Sequence, residues 1–272
     1  MSFLRCSRGV NGYAFSKQFS VHVALLPFLE QASLYNNINF SFKINDIYLH
    51  GSNDKPWLAN ETVISTRVGS FVCPSDSSGR GRSWTGETNY RVNLGGETAP
   101  SHRGPLNGPI ESFGYASTAA CTDGLTNTII FSEKLCGEAG RVRPNLRTDL
   151  FPGWPGEGWP GEPFTLDEQV SSCATREGLG VSFDPNTGLM WFVGAMSQTC
   201  YNTVYAPNSR ISDCVIWSAS IIGFVGASSN HAGGVHAAMA DGAVRHIADG
   251  IDVRVWRGMG TRGGGEAIGG DF

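Results

Sequence analysis

The clearest pattern of apolar and polar positions lies near the C-terminus of the chain. Residues 235–240 and 243–248 are two short runs of strand-forming residues, and Asp241-Gly242 separates them. An Asp-Gly pair between two such runs predicts a β-hairpin closed by a two-residue type I′ turn, since both turn positions need a positive φ. The sequence therefore predicts a terminal hairpin motif within residues 228–250.

The predicted turn also sets which side chains share a face of the hairpin. With a two-residue loop, Ala237 lies opposite His246, and His236 lies on the other surface. His246 is then expected to be a core histidine. Asp241, at the tip, is expected about 17 Å from His236 along the strand.

Patterns upstream of the hairpin predict a mixture of short helices and strands. Apolar residues at helical spacing between positions 21 and 38 predict a helix from about Leu26, with Pro27 in its first turn. A second helix is predicted over residues 56–68 and a final helical turn over residues 251–259. Strands are predicted at residues 70–73, 89–93, 128–132, 190–193 and 221–225.

Two stretches lack such a pattern and are predicted to be irregular. Residues 1–20 form an irregular start, and residues 137–189 form a loop-rich insertion that contains the sequence GWPGE twice in tandem. Trp154, Trp159 and Phe164 of this insertion are candidate contacts for a partner or a sugar ring. The alternative is that these aromatic rings cover the sheet and form a small core of their own.

Composition narrows the class of protein. The chain has 272 residues, and we interpret residues 1–272 as a single domain. The 36 glycines exceed the usual share of about 7%, which favours a turn-rich, sheet-based protein. With a net charge of −4 and no clustered basic stripe, the chain is not expected to bind nucleic acid.

The seven cysteines are scattered, and no C-x-x-C pair occurs. This spacing argues against a zinc ribbon or a thioredoxin-type motif and fits an oxidising compartment. Cys200 and Cys214 flank residues 206–209 and are predicted to form a disulfide. The alternative is that both are small buried hydrophobic residues.

Several segments of the chain together resemble a known family. His231, nine further residues and then Asp241-Gly242 resemble the His-x(9)-Asp-Gly motif of bacterial prepilin-like proteins of unknown function. Other blocks occur in the order of that family. They are residues 25–40 (LLPFLEQASLYNNINF), 71–76 (FVCPSD), 88–90 (TNY), 122–133 (TDGLTNTIIFSE), 206–209 (APNS) and 255–266 (VWRGMGTRGGGE).

This resemblance implies an α+β fold similar to type IV pilins and type II secretion pseudopilins. In such a fold an N-terminal helix packs on an antiparallel sheet that carries long loop insertions. Family members usually begin with a prepilin leader and about twenty apolar residues. Here the longest apolar run covers residues 23–29, far short of the roughly 18 residues of a membrane-spanning helix. We expect that the start of the gene is missing; the alternative is a soluble relative of the family.

Candidate chemistry centres on His231, and the structural interpretation is favoured. Its ring is expected to bond the backbone of the Gly233-Gly234 loop, while Asp241 and Gly242 shape the turn. No metal ligands or catalytic residues are assigned. Cys73 suggests a thiol nucleophile, but no neighbouring histidine follows from the sequence.

Calcium is a weaker hypothesis that also comes from the resemblance. Some pseudopilins hold calcium in a C-terminal loop through carboxylates and carbonyls. Asp249, Asp252 and Glu266 are the candidate ligands here. The chain has no dense Asp/Asn loop in this region to support such a site.

Three functional hypotheses follow. The first is a non-enzymatic, pseudopilin-like assembly protein of the cell envelope that binds other pilin-like or secretion-system subunits. Its location would be periplasmic or extracellular, and a membrane contact would need the missing helix. The second is an exported carbohydrate- or protein-binding module that uses Trp154 and Trp159. The third and weakest is a hydrolase that uses His231 and Asp241, which requires the two side chains to meet.

Overall fold

The computed structural model describes eight parts of the chain: residues 19–41, 60–78, 86–96, 107–110, 117–152, 165–176, 182–215 and 223–265. In these parts the protein is a mixed α/β structure with few helices and mainly antiparallel strand pairing. The coarse α+β prediction is therefore confirmed. No helix within the described parts has both the length and the apolar character needed to cross a bilayer.

Eight strands form two sheets. They are β1 (Tyr90–Asn93), β2 (Ile129–Glu133), β3 (Leu150–Pro152), β4 (Cys200–Tyr201), β5 (Asp213–Val215), β6 (Gly223–Phe224), β7 (Gly234–Met239) and β8 (Val244–Ala248). The larger sheet has the order β4-β1-β2-β7-β8, in which only the β1–β4 pair is parallel. The smaller sheet has the order β3-β5-β6, with β3 and β5 parallel.

The N-terminal segment is not the continuous helix expected from about Leu26. It consists of α1 (Val21–Leu25), a 3-10 turn (Leu26–Leu29) and α2 (Ala32–Asn36). Pro27 lies in the first turn of the 3-10 segment, where its missing N–H costs nothing. Glu30 then adopts a left-handed conformation, with φ of 59°, and this interrupts the helix.

Three further helices lie along the described chain. They are α3 (Glu61–Ile64), α4 (Leu166–Ala174) and α5 (Val253–Gly260). The helix α5 confirms the predicted final turn, and Asp252 caps it by accepting from the backbone N–H of Arg254 at 2.8 Å. Predicted strands at 70–73 and 190–193 are instead a 3-10 turn (Gly69–Phe71) and a turn with isolated bridges.

The hairpin forms as predicted, but its register is shifted by one residue. His236 pairs directly with His246, and Ala237 pairs with Arg245. The loop has three residues, because the N–H of Gly242 donates to the carbonyl of Met239 at 3.0 Å and Gly242 takes φ of 90°. This is a type I turn followed by a left-handed glycine, which adds one residue to the two-residue loop.

The register shift moves His246 out of the core. The inner side of the hairpin carries the fully buried Val235, Met239 and Ile247. His246 is exposed, and its ring lies 5.4 Å from that of His236. The prediction that His246 is a core residue was therefore wrong.

The predicted Cys200–Cys214 disulfide is also wrong. Cys214, in β5, is bonded to Cys173 of α4, and Cys200 lies in β4 of the other sheet. This disulfide fixes α4 against the smaller sheet, beside the buried Phe151 and Phe224. Part of the 137–189 segment is thus ordered structure, since it contributes β3 and α4 rather than loop alone.

Candidate functional site

A thiol, a carboxylate and an imidazole converge where the end of β2 meets two loops. Cys73 follows the 3-10 turn Gly69–Phe71, Glu133 ends β2, and His231 lies in the loop before β7. The potential ligand atoms of these three side chains all lie within 4.8 Å of one another. We call this group the Cys73–Glu133–His231 cluster.

Cys73 is held in place by a buried network of hydrogen bonds. Its backbone N–H donates to Oδ1 of Asn89 at 2.9 Å. The amide of Asn89 donates in turn to Oδ2 of Asp76 at 2.6 Å, and the same oxygen accepts from the N–H of Cys136 at 2.9 Å. Because these groups are buried, the network fixes the loop of residues 73–76 against β1 and the chain that follows β2.

Glu133 is buried, with only 4% of its side chain exposed. Tyr90 of β1 pairs with it across the sheet, and the backbone N–H of His236 donates to Oε2 at 2.8 Å. Nδ1 of His236 lies 3.4 Å from the same oxygen. One carboxylate oxygen is thus directed at His236, which leaves Oε1 for His231.

The loop that carries His231 is folded around Ser229. The Ser229 hydroxyl accepts from the N–H of His231 at 3.1 Å and donates to the carbonyl of Gly234 at 2.8 Å. Gly233 permits the bend, with φ of 76°, a value that favours glycine. Asn230 donates to the carbonyl of Ser75 at 3.2 Å, which joins this loop to the loop of Cys73.

A single nitrogen of His231 faces both other members of the cluster. Nε2 lies 3.0 Å from Oε1 of Glu133 and 3.5 Å from Sγ of Cys73. A nucleophilic Cys–His–Glu relay needs the thiol on one ring nitrogen and the carboxylate on the other. Here the carboxylate and the thiol both approach the same nitrogen, so the relay is not formed. A neutral imidazole nitrogen offers only one hydrogen or one lone pair, so it serves one of the two groups at a time.

Titratable groups around the cluster are perturbed by burial. Burial raises the pKa of Tyr90, and the charges that Cys73 and Glu133 carry when ionised raise it further. Burial also lowers the pKa of His22 to about 4, so this imidazole is neutral near pH 7. The His22 ring donates from Nε2 to the carbonyl of Tyr90 at 2.7 Å and packs edge-on against Phe71.

The structure does not bring His231 and Asp241 together. Asp241 lies at the hairpin tip, where its Oδ1 accepts from the N–H of Ala243 at 2.9 Å, so its role in the turn is as predicted. The six residues of β7 separate the two ends of the motif by roughly 20 Å. The ring of His231 also does not bond the Gly233-Gly234 backbone, since Ser229 does so.

The remaining candidate residues have separate fates. Asp249 accepts from the side-chain amide of Asn208 at 2.7 Å. Asp252 caps α5, and its hydrogen bonds with Arg254 lower its pKa to about 2. Glu266 lies outside the described residues, so calcium stays a prediction. Trp154, Trp159 and Phe164 also lie outside the described residues, and the binding-module hypothesis stays a prediction as well.

From the sequence, no role at this site was predicted for Glu133 or His236, and no histidine was predicted beside Cys73. A signal was present, because the three cluster members lie in three separate blocks that resemble the family. Cys73 belongs to FVCPSD, Glu133 ends TDGLTNTIIFSE, and His231 opens the C-terminal motif. No single block predicts the contact, which depends on how the sheet joins them.

An apolar groove lies next to the cluster on the same side of the large sheet. It encloses a cavity of about 250 Å³. Its walls include Leu25 and Leu29 of the N-terminal segment, Phe131 of β2 and Val244 of β8. Val244 is 68% exposed, and Phe28, the neighbour of Leu29, is 83% exposed.

Comparison with known proteins identifies one family. A family model described as a protein of unknown function (DUF1559, SBP_bac_10) matches residues 7–254. The chain therefore belongs to this family. No curated protein and no solved structure matches the chain.

Proposed function

We propose that this member of the DUF1559 family is a non-enzymatic, pseudopilin-like assembly protein of the cell envelope. Its partners are other pilin-like or secretion-system subunits. The observation that carries the proposal is the apolar groove between the N-terminal segment and the hairpin. Large exposed apolar side chains beside a groove are typical of a protein–protein contact.

The location of the groove supports this role. Leu25 ends α1 and Leu29 ends the 3-10 turn that follows it, so both belong to the N-terminal segment. Val244 belongs to the edge strand β8. In the pilin-like fold that the sequence resembles, an N-terminal helix packs on the sheet. A neighbouring subunit that inserted an apolar helix here would cover Phe28 and Val244 together.

Polar residues in the blocks that resemble the family support a scaffold role. Asn89 and Asp76 hold the loop of Cys73, as described above. Asn208, of the APNS block, accepts from the N–H of Ser229 at 2.9 Å and donates to the carbonyl of Gly234 at 3.3 Å. Side chains that bond the backbone in this way stabilise loops.

The disulfide supports a location outside the cytosol. Disulfides persist in the periplasm and the extracellular space, and they are rare in the cytosol. The Cys173–Cys214 bond joins a helix to a strand and is buried at both ends. The bond therefore favours an exported protein, in agreement with the envelope location of the proposal.

The proposal is tested by site-specific photocrosslinking in the native host. A photoreactive residue at position 28 or 244 is expected to crosslink to a pilin-like subunit, identified by mass spectrometry. Position 142 is the matched control, since Val142 is 89% exposed and does not line the groove. Equal crosslinking at 142 and 244, or products without a pilin-like subunit, would contradict the proposal.

A charge substitution gives an independent check on the same surface. Val244→Glu places a charge in the groove and is expected to remove the crosslink from position 28. Val142→Glu adds the same charge at another exposed valine and should leave it unchanged. Thermal unfolding of both variants verifies that the fold is retained.

A further inference from the structure

We propose that the Cys73–Glu133–His231 cluster binds a divalent zinc-class cation. Sulfur, imidazole nitrogen and carboxylate oxygen are the three ligand types that zinc accepts in proteins. Each comes from a different part of the chain, so the ion would join the loop of residue 73, the end of β2 and the loop before β7. This inference does not depend on the proposed function.

Two distances between the ligand atoms are close to those around a shared ion, and all three atoms lie within 4.8 Å of one another. Tetrahedral zinc, with bonds of about 2.3 Å to sulfur and 2.0–2.2 Å to nitrogen and oxygen, spaces its ligand atoms by roughly 3.3–3.6 Å. Nε2 of His231 lies 3.5 Å from Sγ of Cys73, which matches this spacing. Its 3.0 Å distance to Oε1 of Glu133 needs to lengthen by a few tenths of an ångström.

The direction of the groups also favours a cation. Both Sγ and Oε1 approach the same nitrogen, so a single hydrogen on Nε2 cannot satisfy both in good geometry. An ion placed among the three atoms satisfies all of them at once. It would also balance the charge of the carboxylate of Glu133, which is 4% exposed.

His236 is the positioning residue of this site. Its backbone N–H and Nδ1 both face Oε2 of Glu133, at 2.8 and 3.4 Å, so they fix the rotation of the carboxylate. Its ring meets the ring of His231 edge-to-face at 4.7 Å. The two imidazoles are 29% and 41% exposed, which leaves a side from which water can complete the coordination.

The test uses the full chain without an affinity tag and measures zinc and cobalt binding. The wild type is expected to bind one equivalent of zinc. Cobalt should give a thiolate-to-metal charge-transfer band and intense visible bands typical of four ligands. Cys73→Ser is expected to remove the charge-transfer band, and His231→Gln should lower metal affinity by more than His236→Gln does. For His236→Gln the expected loss is about 10–100-fold.

Matched controls separate ligand loss from misfolding. Cys121→Ser removes another thiol, and His246→Gln removes a neighbouring imidazole; both should leave metal binding unchanged. Metal-free Tm reports the fold of each variant, and zinc should raise Tm fully in the wild type and these controls and by less in His236→Gln. Zinc should also protect Cys73, but not Cys121, from alkylation.

Three results would overturn the proposal. One is the absence of a cobalt–thiolate band in the wild type. Another is unchanged zinc affinity in folded Cys73→Ser and His231→Gln. The third is loss of binding in the Cys121 or His246 control, which would place the ion elsewhere. None of these results bears on crosslinking at positions 28 and 244, so the two proposals fail separately.

Discussion

The two ends of the C-terminal motif are held by different kinds of contact. At the tip, the side chain of Asp241 and the N–H of Gly242 form hydrogen bonds within a few residues of chain, and the N–H of Asp241 also donates to the carbonyl of Leu125 at 3.2 Å. At the other end, His231 meets Glu133 and Cys73, which lie far away in sequence. The turn at the tip is therefore shaped by short-range bonds and joined by its backbone to the segment before β2, whereas the side-chain contacts at the histidine end depend on the packing of both loops and β2.

This difference implies that the two ends respond differently to substitution. A substitution within the turn at the tip should lower the free energy of unfolding only by the contribution of the turn. At the histidine end, the loss of stability should depend on the buried groups that fix β2 and its neighbours. The effects of substitution are expected to decrease from the groups that support the histidine end to the tip.

The largest effect is expected from Lys134, which directly follows Glu133. Its ammonium forms a buried ion pair with Asp213 of β5, and this pair joins the two sheets. Burial lowers the pKa of Lys134 and raises that of Asp213. Lys134→Met leaves the carboxylate without its partner and is expected to lower the free energy of unfolding by about 3–5 kcal/mol, measured by urea titration.

Two variants control this result. Lys134→Met with Asp213→Leu should recover part of the loss, but not all, because Asp213 also accepts from the N–H of Gly226 at 2.9 Å. Arg254→Met breaks the exposed pair with Asp252 and should change stability very little. A similar loss of stability in Arg254→Met and Lys134→Met would show that burial does not determine the cost of breaking an ion pair.

The disulfide secures β5, the strand of Asp213, and is expected to have the next largest effect. Cys173→Ser opens a link between residues 41 apart in sequence. The expected loss is about 2–4 kcal/mol under oxidising conditions, and little further change should follow when a reductant is added. Peptide mapping of the wild type should recover Cys173 bonded to Cys214. A Cys200–Cys214 peptide would contradict this pairing.

His22 makes the histidine end sensitive to acid. Its folded pKa of about 4 lies below the usual 6.5, so the unfolded chain binds the proton first as pH falls. The stabilisation is fully present above about pH 6.5 and is lost as pH falls towards 4. Between pH 7 and pH 5 the wild type should lose roughly 2 kcal/mol from this group.

The measurement compares the pH dependence of unfolding in wild type and His22→Gln. Glutamine can still donate to the carbonyl of Tyr90, which His22 contacts at 2.7 Å, but it does not titrate. The stability difference between the two proteins should therefore shrink as the pH falls. If the stability difference between the two proteins stays constant from pH 7 to pH 5, His22 is not the origin of the acid sensitivity.

The local parts of the fold could be predicted from the sequence. The hairpin, strand β2 and helix α5 follow from short-range pattern and capping, and all three are present. The predicted register was wrong because the turn is a type I turn followed by a left-handed Gly242, which adds one residue to the loop. A shift of one residue then moves the side chains of β8 to the opposite faces, as it did for His246, while Val235 and Met239 of β7 stay in the core.

The candidate site could not be predicted in the same way. Its residues lie at positions 73, 133 and 231, and nothing in the intervening sequence fixes their approach. Asp241 was expected at the hairpin tip, away from His231, and the extended strand β7 does carry it there. Glu133 becomes the partner because β2 pairs with β7 antiparallel, which places it beside His236 and the preceding loop.

The smallest effect is expected at the tip, from Gly242→Ala. The added Cβ would meet no atom within 4 Å, so the cost comes only from holding alanine at φ of 90°. That strain is expected to lower the free energy of unfolding by about 1 kcal/mol, measured by urea titration. Metal affinity at the Cys73–Glu133–His231 cluster should stay unchanged, since the turn shares no contact with it. If Gly242→Ala also weakened cobalt binding, the two ends would be coupled through β7, and the histidine end would depend on the turn as well as on the buried core.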